Sequence, residues 1–174
     1  MFSKTEHKKY KYMNSNKEIE ETIIHLFDVL VYRNNTYKDI EKLQGELPVF
    51  EKLVCVISSM SSLLELISDD AKEKLSVLLD KGDIKYHVNF IIADAAESMS
   101  IYSFESWFKS KVSLNDGIWL GNGLGSQFQF KISTMTKELR NNVEDDFGYV
   151  ISKGKAKLVK LVSTANSEGD DIFG

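Results

Sequence analysis

The sequence contains glycine and lysine residues that could contact a nucleotide, but they do not match the pattern of a phosphate-binding site. A phosphate-binding loop needs the pattern Gly-x-x-x-x-Gly-Lys-Ser/Thr, because its backbone amides and its lysine hold the phosphates. The nearest match is Gly154-Lys155, where Tyr149 stands in the place of the first glycine and Ala156 in that of the hydroxyl residue. The surrounding residues also favour a hairpin. The spacing therefore predicts no phosphate-binding loop.

A magnesium site for phosphoryl transfer would need a carboxylate at the end of a buried strand. After the apolar run 53–57 that position holds Ser58 and not aspartate. Asp94 does end a second apolar run, but a lone aspartate there more often caps the following turn. The three histidines are scattered along the chain. We therefore predict no catalytic residue, no cofactor and no metal, and hence a protein that is not an enzyme.

The glycine-rich stretch Gly121-Asn-Gly-Leu-Gly125 invites a dinucleotide-binding interpretation. It lacks the Gly-x-Gly-x-x-Gly spacing, and no clear helix follows it. Three alternate glycines indicate a loop with unusual backbone angles or a close approach to another segment. We call residues 121–125 the glycine loop.

Two apolar runs, 52–58 and 88–94, lack the alternation of a half-exposed strand. Continuous runs of this length are typical of strands buried on both faces of a parallel sheet. Between them the sequence predicts a short helical piece and a second helix, capped by Ser68 or Asp69 and ended by Gly82. Strand, helix and strand in this order imply a right-handed crossover in an α/β layer.

A long amphipathic helix precedes the first run, with apolar residues at spacings of three and four. Asn16 is the predicted cap, and Gly45 and Pro48 are predicted to end the helix. After residue 95, Phe104, Trp107 and Phe108 recur at helical spacing and are expected in a core. The remaining predictions are strands over 118–120 and 128–133, a short helix through Arg140 capped by Thr134 or Thr136, and a hairpin of strands 147–152 and 157–162 around Lys153-Gly154-Lys155.

Composition places the chain among folded soluble proteins. With 174 residues and 43% hydrophobic content it suits one domain with a sizeable core. The net charge of −4 disfavours a nucleic-acid partner, and no stretch approaches a membrane span of about 18 apolar residues. We expect a cytoplasmic protein without direct membrane insertion. The predicted boundaries are a polar leader (1–16), the domain (17–162) and a disordered acidic tail (163–174).

The order of these features resembles a known family. Residues 117–125, 127–133, the helix Lys137-Glu-Leu-Arg140 and the closing Phe147-Gly-Tyr-Val-Ile resemble the last ATPase domain of a secretion motor. That motor is the FtsK/SpoIIIE-type ATPase of Gram-positive type VII secretion, the EssC/YukB-like family. The similarity covers roughly residues 15–162 and is most specific over 117–162.

The resemblance implies a partial RecA-like α/β domain, with a mostly parallel central sheet flanked by helices and a C-terminal β-hairpin. It also implies a place at the cytoplasmic face of the secretion machine and a role in motor assembly or substrate selection. In the family the phosphate-binding loop and first strand precede the segment equivalent to residues 1–20, and an aspartate stands where this chain has Ser58. A sheet without its first strand would expose an edge, which favours a partner or self-association into a homo-oligomer.

We predict an interaction module whose partner is the type VII motor ATPase or one of its secreted substrates. The predicted surface consists of Trp119, Gly121, Gly123, Gly125, Lys153 and Lys155. The alternative is a purely structural role, in which the glycines form turns and the tryptophan packs in the core. Two other functions stay open: a nucleotide-binding part completed by another subunit, and a small cytosolic immunity protein that binds one toxin.

Overall fold

The computed structural model describes residues 11–13, 15–43, 45–82 and 85–161. The acidic tail 163–174 and most of the polar leader 1–16 lie outside these residues. The chain divides into two compact units, Met1–Lys111 and Val112–Gly174, which we call the first and second units. Whether 17–162 behaves as one domain stays a prediction. No helix within the described ranges is long and apolar enough to cross a bilayer.

The first unit alternates helices and strands as predicted. Its elements are α1 (Asn16–Leu43), β1 (Leu53–Ile57), α2 (Met60–Leu66), α3 (Asp69–Lys81), β2 (Val88–Ile92), α4 (Ala96–Met99), a 3₁₀ turn (Ser100–Phe104) and α5 (Ser106–Lys111). Ser68 caps α3, since its hydroxyl accepts a hydrogen bond from the Ala71 amide, and Gly82 ends that helix. Both boundaries agree with the prediction.

The residue that caps the long helix α1 is Ser15, one position before the predicted cap. The Ser15 hydroxyl accepts a hydrogen bond from the Glu18 amide at 3.3 Å and donates one to the Glu18 carboxylate at 3.2 Å. Ser15 therefore satisfies an amide of the first turn, and the assignment of this role to Asn16 was wrong. At the other end the Gly45 amide donates to the Ile40 carbonyl at 3.2 Å, consistent with the predicted stop.

Helix α1 packs on α3 through aliphatic rows that the 3.6-residue period places on one face of each helix. The buried members of these rows are Ile23, Leu26 and Leu30 on α1 and Leu75, Leu78 and Leu79 on α3. Arg33 is also buried, which the sequence did not predict. Its Nη1 donates to the Tyr86 carbonyl at 2.5 Å, and its guanidinium lies 5.0 Å from the centre of the Phe50 ring.

Strands β1 and β2 form a parallel pair, in register from Leu53 opposite Val88 to Ile57 opposite Ile92. Val54, Val56 and Ile91 share one face and are 55%, 68% and 57% exposed. The prediction that both strands are buried on both faces was therefore wrong. In the described residues this sheet has only two strands, and packing covers one of its faces.

The aromatic cluster near the end of the first unit is partly as predicted. Trp107 and Phe108 of α5 are buried, and the Trp107 ring lies 5.9 Å from that of Tyr102. Phe104 is exposed, so its placement in the core was wrong. The 3₁₀ turn ends at Phe104 and the chain is extended at Glu105, which breaks the helical register between Phe104 and α5.

The second unit is built on an antiparallel sheet of β3 (Gly117–Leu120), β4 (Phe147–Ser152) and β5 (Lys155–Lys160), in the order β3-β4-β5. The C-terminal hairpin is confirmed, but its second strand begins at Lys155 and not at 157, so Lys155 belongs to the strand and not to the turn. Its turn consists of Lys153 and Gly154, both with positive φ (51° and 74°), as a two-residue type I′ turn requires. The predicted parallel central sheet is thus present in the described residues only as the small β1–β2 pair, and the other three described strands form a separate antiparallel sheet.

The inner face of this sheet carries the core of the second unit. Leu124, Leu139, Tyr149 and Ile151 are buried there, and Trp119, Phe130, Ile132, Val143 and Ala156 pack against them. Leu124 and Leu139 belong to two 3₁₀ turns, Leu124–Ser126 and Glu138–Arg140. Short turns therefore cover this sheet in the place of long helices.

The segment 128–133 is not a strand, contrary to the prediction. The Lys131 amide donates to the Leu114 carbonyl at 2.7 Å, and the Ser133 amide donates to the Gly154 carbonyl at 2.8 Å. These bonds reach two different loops, so no ladder forms. The predicted helix through Arg140 is a single 3₁₀ turn that begins after Lys137 without a side-chain cap. The expected caps, Thr134 and Thr136, were therefore wrong.

Candidate interaction surface

The carboxyl end of the parallel pair is the edge at which open α/β sheets bind ligands. Here Asp94, just after β2, is held by groups of the protein itself. Its carboxylate accepts hydrogen bonds from the Ser61 amide (2.7 Å), the Ser61 hydroxyl (2.9 Å) and the Ala95 amide (2.9 Å), and from the Tyr102 hydroxyl at 3.3 Å. The structural reading of Asp94 is confirmed, since it caps the turn that follows β2 and also joins that turn to α2.

The electrostatics of this network favour an ionised aspartate. Burial acts to raise the pKa of Asp94, but the hydrogen bonds from Ser61, Ala95 and Tyr102 outweigh it, and the pKa is lowered. Burial and the neighbouring Asp94 charge raise the pKa of Tyr102, so the phenol keeps its proton and stays a donor. A fixed negative charge therefore occupies the amino-terminal end of α2, where an incoming phosphate would be repelled.

Cys55 and Ser58 are the other residues here whose side chains could react. Cys55 is partly buried in β1, and burial raises the pKa of its thiol, which keeps it protonated and a poor nucleophile. Ser58 is exposed after β1 and brings no carboxylate to this edge. Within the described ranges no three His, Cys, Asp or Glu side chains gather as a metal site would need.

The glycine loop adopts the unusual backbone that its three glycines predicted. Gly121 and Gly123 have φ of 81° and 88°, a region that L side chains rarely adopt. Gly125 is required for another reason, close approach. A Cβ atom there would lie 2.6 Å from Arg140 Cγ and 2.8 Å from the Leu139 carbonyl oxygen. The loop is thus pressed against the 3₁₀ turn that carries Leu139.

Trp119 anchors this loop to the sheet. Its indole is partly buried in the core of the second unit and meets Phe130 edge-to-face, with ring centres 6.5 Å apart. Its Nε1 donates to the Asn122 carbonyl at 3.0 Å. Both contacts hold the loop, so the part of Trp119 available to a partner is the exposed remainder of its ring.

The tip of the hairpin is fastened to a neighbouring loop. The Lys153 amide donates to Asp116 Oδ1 at 2.9 Å, the Gly154 amide donates to the Asn115 carbonyl at 2.8 Å, and the Ser113 hydroxyl donates to Asp116 Oδ2 at 2.7 Å. The backbone bond from Lys153, followed by the bond from Ser113, lowers the pKa of Asp116. The tip is therefore anchored through its backbone, while Lys153 and Lys155 are exposed.

The six predicted surface residues do not form one patch. Gly117 pairs with Ile151 next to the hairpin tip, whereas Leu120 pairs with Gly148 at the far end of the sheet. The glycine loop, which follows Leu120, and the lysines of the tip are thus separated by four residues of strand, about 14 Å. A single small ligand would not contact both ends, but an extended partner lying along the sheet would.

The sequence did not predict the surface between these ends. Ile118 and Leu120 of β3 are 63% and 64% exposed, and Val150 of β4, opposite Ile118, is 39% exposed. Lys157 pairs with Val150 on the same face. We call this apolar side of the antiparallel sheet the outer face. The sequence pattern that could have indicated this surface is the alternation over 118–120 and 147–152, because successive side chains of a strand point to opposite faces of the sheet.

Comparisons with known proteins support the fold. No protein-family model and no curated protein matches the sequence. Among solved structures, the cytoplasmic domain of EssC is similar, with a TM-score of 0.67 and 15% sequence identity over 87% of this chain and 29% of that one. At this identity the similarity shows the fold alone. The chain spans less than a third of that structure, so the resemblance to EssC is confirmed as a fold, without specifying which of its domains.

Proposed function

We propose that this chain is a non-catalytic, ATPase-derived interaction module that acts with a type VII secretion system, in motor assembly or substrate selection. The observation that carries the proposal is the fold likeness to the cytoplasmic domain of EssC, which extends over 87% of the chain. The resemblance of the sequence over residues 117–162 supports the same family. In this proposal the chain works at the cytoplasmic face of a membrane secretion complex.

The hydrogen bonds around Asp94 support the part of the proposal that assigns no nucleotide binding to this chain. A bound nucleotide would place phosphates near helix amino termini at the carboxyl end of the sheet. There the Ser61 amide is already bonded to Asp94, and the Ser62 amide donates to the Ser59 hydroxyl at 3.3 Å. Asp94 therefore already accepts the hydrogen bond that the Ser61 amide could offer to a phosphate at this helix end.

The partner-binding surface in this proposal is the outer face, with the glycine loop and the hairpin tip at its two ends. Its exposed aliphatic side chains provide an apolar centre, and Lys155 and Lys157 provide positive charge at one margin. Interfaces of this kind bury apolar residues centrally and charged residues at the rim. The proposed partner is the type VII motor ATPase or one of its secreted substrates.

Affinity capture tests the proposal. The tagged chain is recovered from its native cytoplasm, and co-purifying proteins are identified by mass spectrometry. We expect the type VII motor or its small secreted substrates, and we expect the double variant Ile118→Ser/Leu120→Ser to lose them. Val54→Ser/Val56→Ser, on the exposed face of the parallel pair, is the matched control. Recovery of one unrelated toxin would instead select the immunity-protein alternative.

Calorimetric titration with Mg-ATP separates the proposal from a nucleotide-binding role. We expect no saturable heat with the full chain at millimolar nucleotide. Micromolar binding would contradict the non-catalytic assignment and favour a part that another subunit completes. Asp94→Asn serves as the informative variant, because removing the charge at the amino terminus of α2 would create weak phosphate affinity only if that helix end is blocked as described.

A further inference from the structure

The second unit contains a pocket of about 440 Å³ between the β4–β5 hairpin and the chain around Glu138–Arg140. Its volume is within the range of small-ligand sites, about 300–1,000 Å³. The floor is formed by the buried Leu139 and Tyr149 and by the half-buried Ala156, with Leu158 at one side. We propose that this pocket binds a neutral, apolar side chain presented by an extended segment of a partner protein.

Tyr149 gives the pocket a specific polar group. The residue is only 5% exposed, and no described residue forms a hydrogen bond with its hydroxyl. In the described chain no fully buried side-chain oxygen lacks a partner, so this hydroxyl keeps access to solvent. Tyr149 is one of the residues that line the pocket. In this proposal its hydroxyl donates to a carbonyl of the bound segment.

The rim supplies two carboxamides. Asn141 and Asn142 are exposed at the pocket, and no described residue bonds to either side chain. Each carries an acceptor and two donors, the complement of a peptide unit. Glu138 also lines the rim, and hydrogen bonds from Thr136 and from its own amide lower its pKa, so it stays ionised. That charge disfavours an acidic side chain at the entrance.

An apolar floor, a buried phenol and rim carboxamides together fit a peptide carrying leucine, methionine or a residue of similar size. The inference rests on the proposed function and adds to it a second recognition site, on the core side of the antiparallel sheet and apart from the outer face. The two proposals can be tested separately, because a small probe binds the pocket or does not, whether or not the type VII motor is the partner. Loss of the motor in affinity capture would leave a probe-binding pocket intact.

Nuclear magnetic resonance titration of the full ¹⁵N-labelled chain tests the pocket, with N-acetyl-leucinamide as the probe. We expect saturable shifts at the amides of Leu139, Asn142, Tyr149 and Leu158. N-acetylglycinamide lacks the apolar side chain and should bind at least about tenfold more weakly, because the burial of several methyl and methylene groups is lost. Equal affinity of the two amides, or shifts confined to other surfaces, would overturn the proposal.

Tyr149→Phe tests the role of the hydroxyl. Its hydroxyl has no partner in the described chain, so we expect an unchanged melting temperature and about fivefold weaker binding of N-acetyl-leucinamide. Leu158→Lys, at the half-exposed side, should also weaken binding, whereas Val54→Lys, on the exposed face of the parallel pair, is the matched control and should not. Full affinity in Tyr149→Phe, with wild-type stability, would refute the assignment.

Discussion

The two units of this protein are stabilised by different means. In the first, long helices bury rows of aliphatic side chains, so many small contacts share the stabilisation. In the second, a small sheet is covered by short turns whose course depends on three positive-φ glycines and on single hydrogen bonds to loops. The stability of the first unit should therefore be most sensitive to the loss of side-chain volume, and that of the second unit to added atoms.

Removing volume from the first unit should produce the largest effect. Leu78 of α3 is fully buried, so Leu78→Ala should lower the free energy of unfolding by about 2–5 kcal/mol. The adjacent Val77 is partly exposed, and Val77→Ala should cost less than about 1 kcal/mol. Urea denaturation of both variants checks this. Equal losses would contradict a core centred on α3.

Adding one carbon to the second unit should be nearly as harmful. Gly125→Ala places a Cβ 2.8 Å from the Leu139 carbonyl oxygen, and the required shift should cost about 2–3 kcal/mol. At Gly121 a Cβ meets nothing within 4 Å, so Gly121→Ala should cost only the positive-φ penalty, about 1 kcal/mol. Chemical denaturation measures both. If Gly125→Ala lost less stability than Gly121→Ala, close packing at Gly125 would not be what fixes the loop.

The Asp94 network should show as a pH dependence of the first unit. Asp94→Asn leaves donors mismatched and should cost about 1–2 kcal/mol at pH 7. Since the folded-state pKa of Asp94 is lowered, its stabilisation is present above the unfolded value of about 3.9 and is lost as pH falls through the folded value. The difference in free energy of unfolding between the wild type and Asp94→Asn, measured by urea denaturation, should therefore become smaller below pH 4. If that difference does not change with pH, Asp94 is not stabilised as an ionised carboxylate.

The smallest expected change is a gain in the second unit. Lys153 has a φ of 51°, and asparagine tolerates this conformation better at the first position of a type I′ turn. Lys153→Asn should raise the free energy of unfolding by about 0.5 kcal/mol, while Lys155→Asn, within β5, should not. Differential scanning calorimetry resolves the two. A loss at Lys153 would show that its side chain stabilises the tip.

The same contrast explains what the sequence could predict. The order of elements in the first unit followed from the spacing of its aliphatic residues and from Ser68 and Gly82, which act locally. The segment 128–133 alternates like a strand, yet its amides bond to Leu114 and Gly154, both distant in sequence. Local pattern cannot indicate which distant groups will accept those bonds, so this prediction failed for a non-local reason.

The candidate surfaces likewise include one feature that the local sequence predicts and two that depend on contacts between distant residues. The backbone requirement of the glycine loop was predictable because glycine has a local meaning at positive φ. The separation of that loop from Lys153 depends on the register of β3 against β4, and the pocket at Tyr149 depends on how the 139–143 segment lies across the sheet. Neither register nor packing of turns is encoded in a local spacing.

The central claim, that the chain is a non-catalytic module of type VII secretion, is tested most directly by binding to the motor itself. Biolayer interferometry of the full chain against the purified cytoplasmic region of the type VII motor from the same organism measures that affinity, with Ile118→Ser/Leu120→Ser as the variant. We predict micromolar or tighter binding that needs no added ATP and is lost in the variant. No binding to the motor or to its secreted substrates, with folded protein on both sides, would contradict the claim.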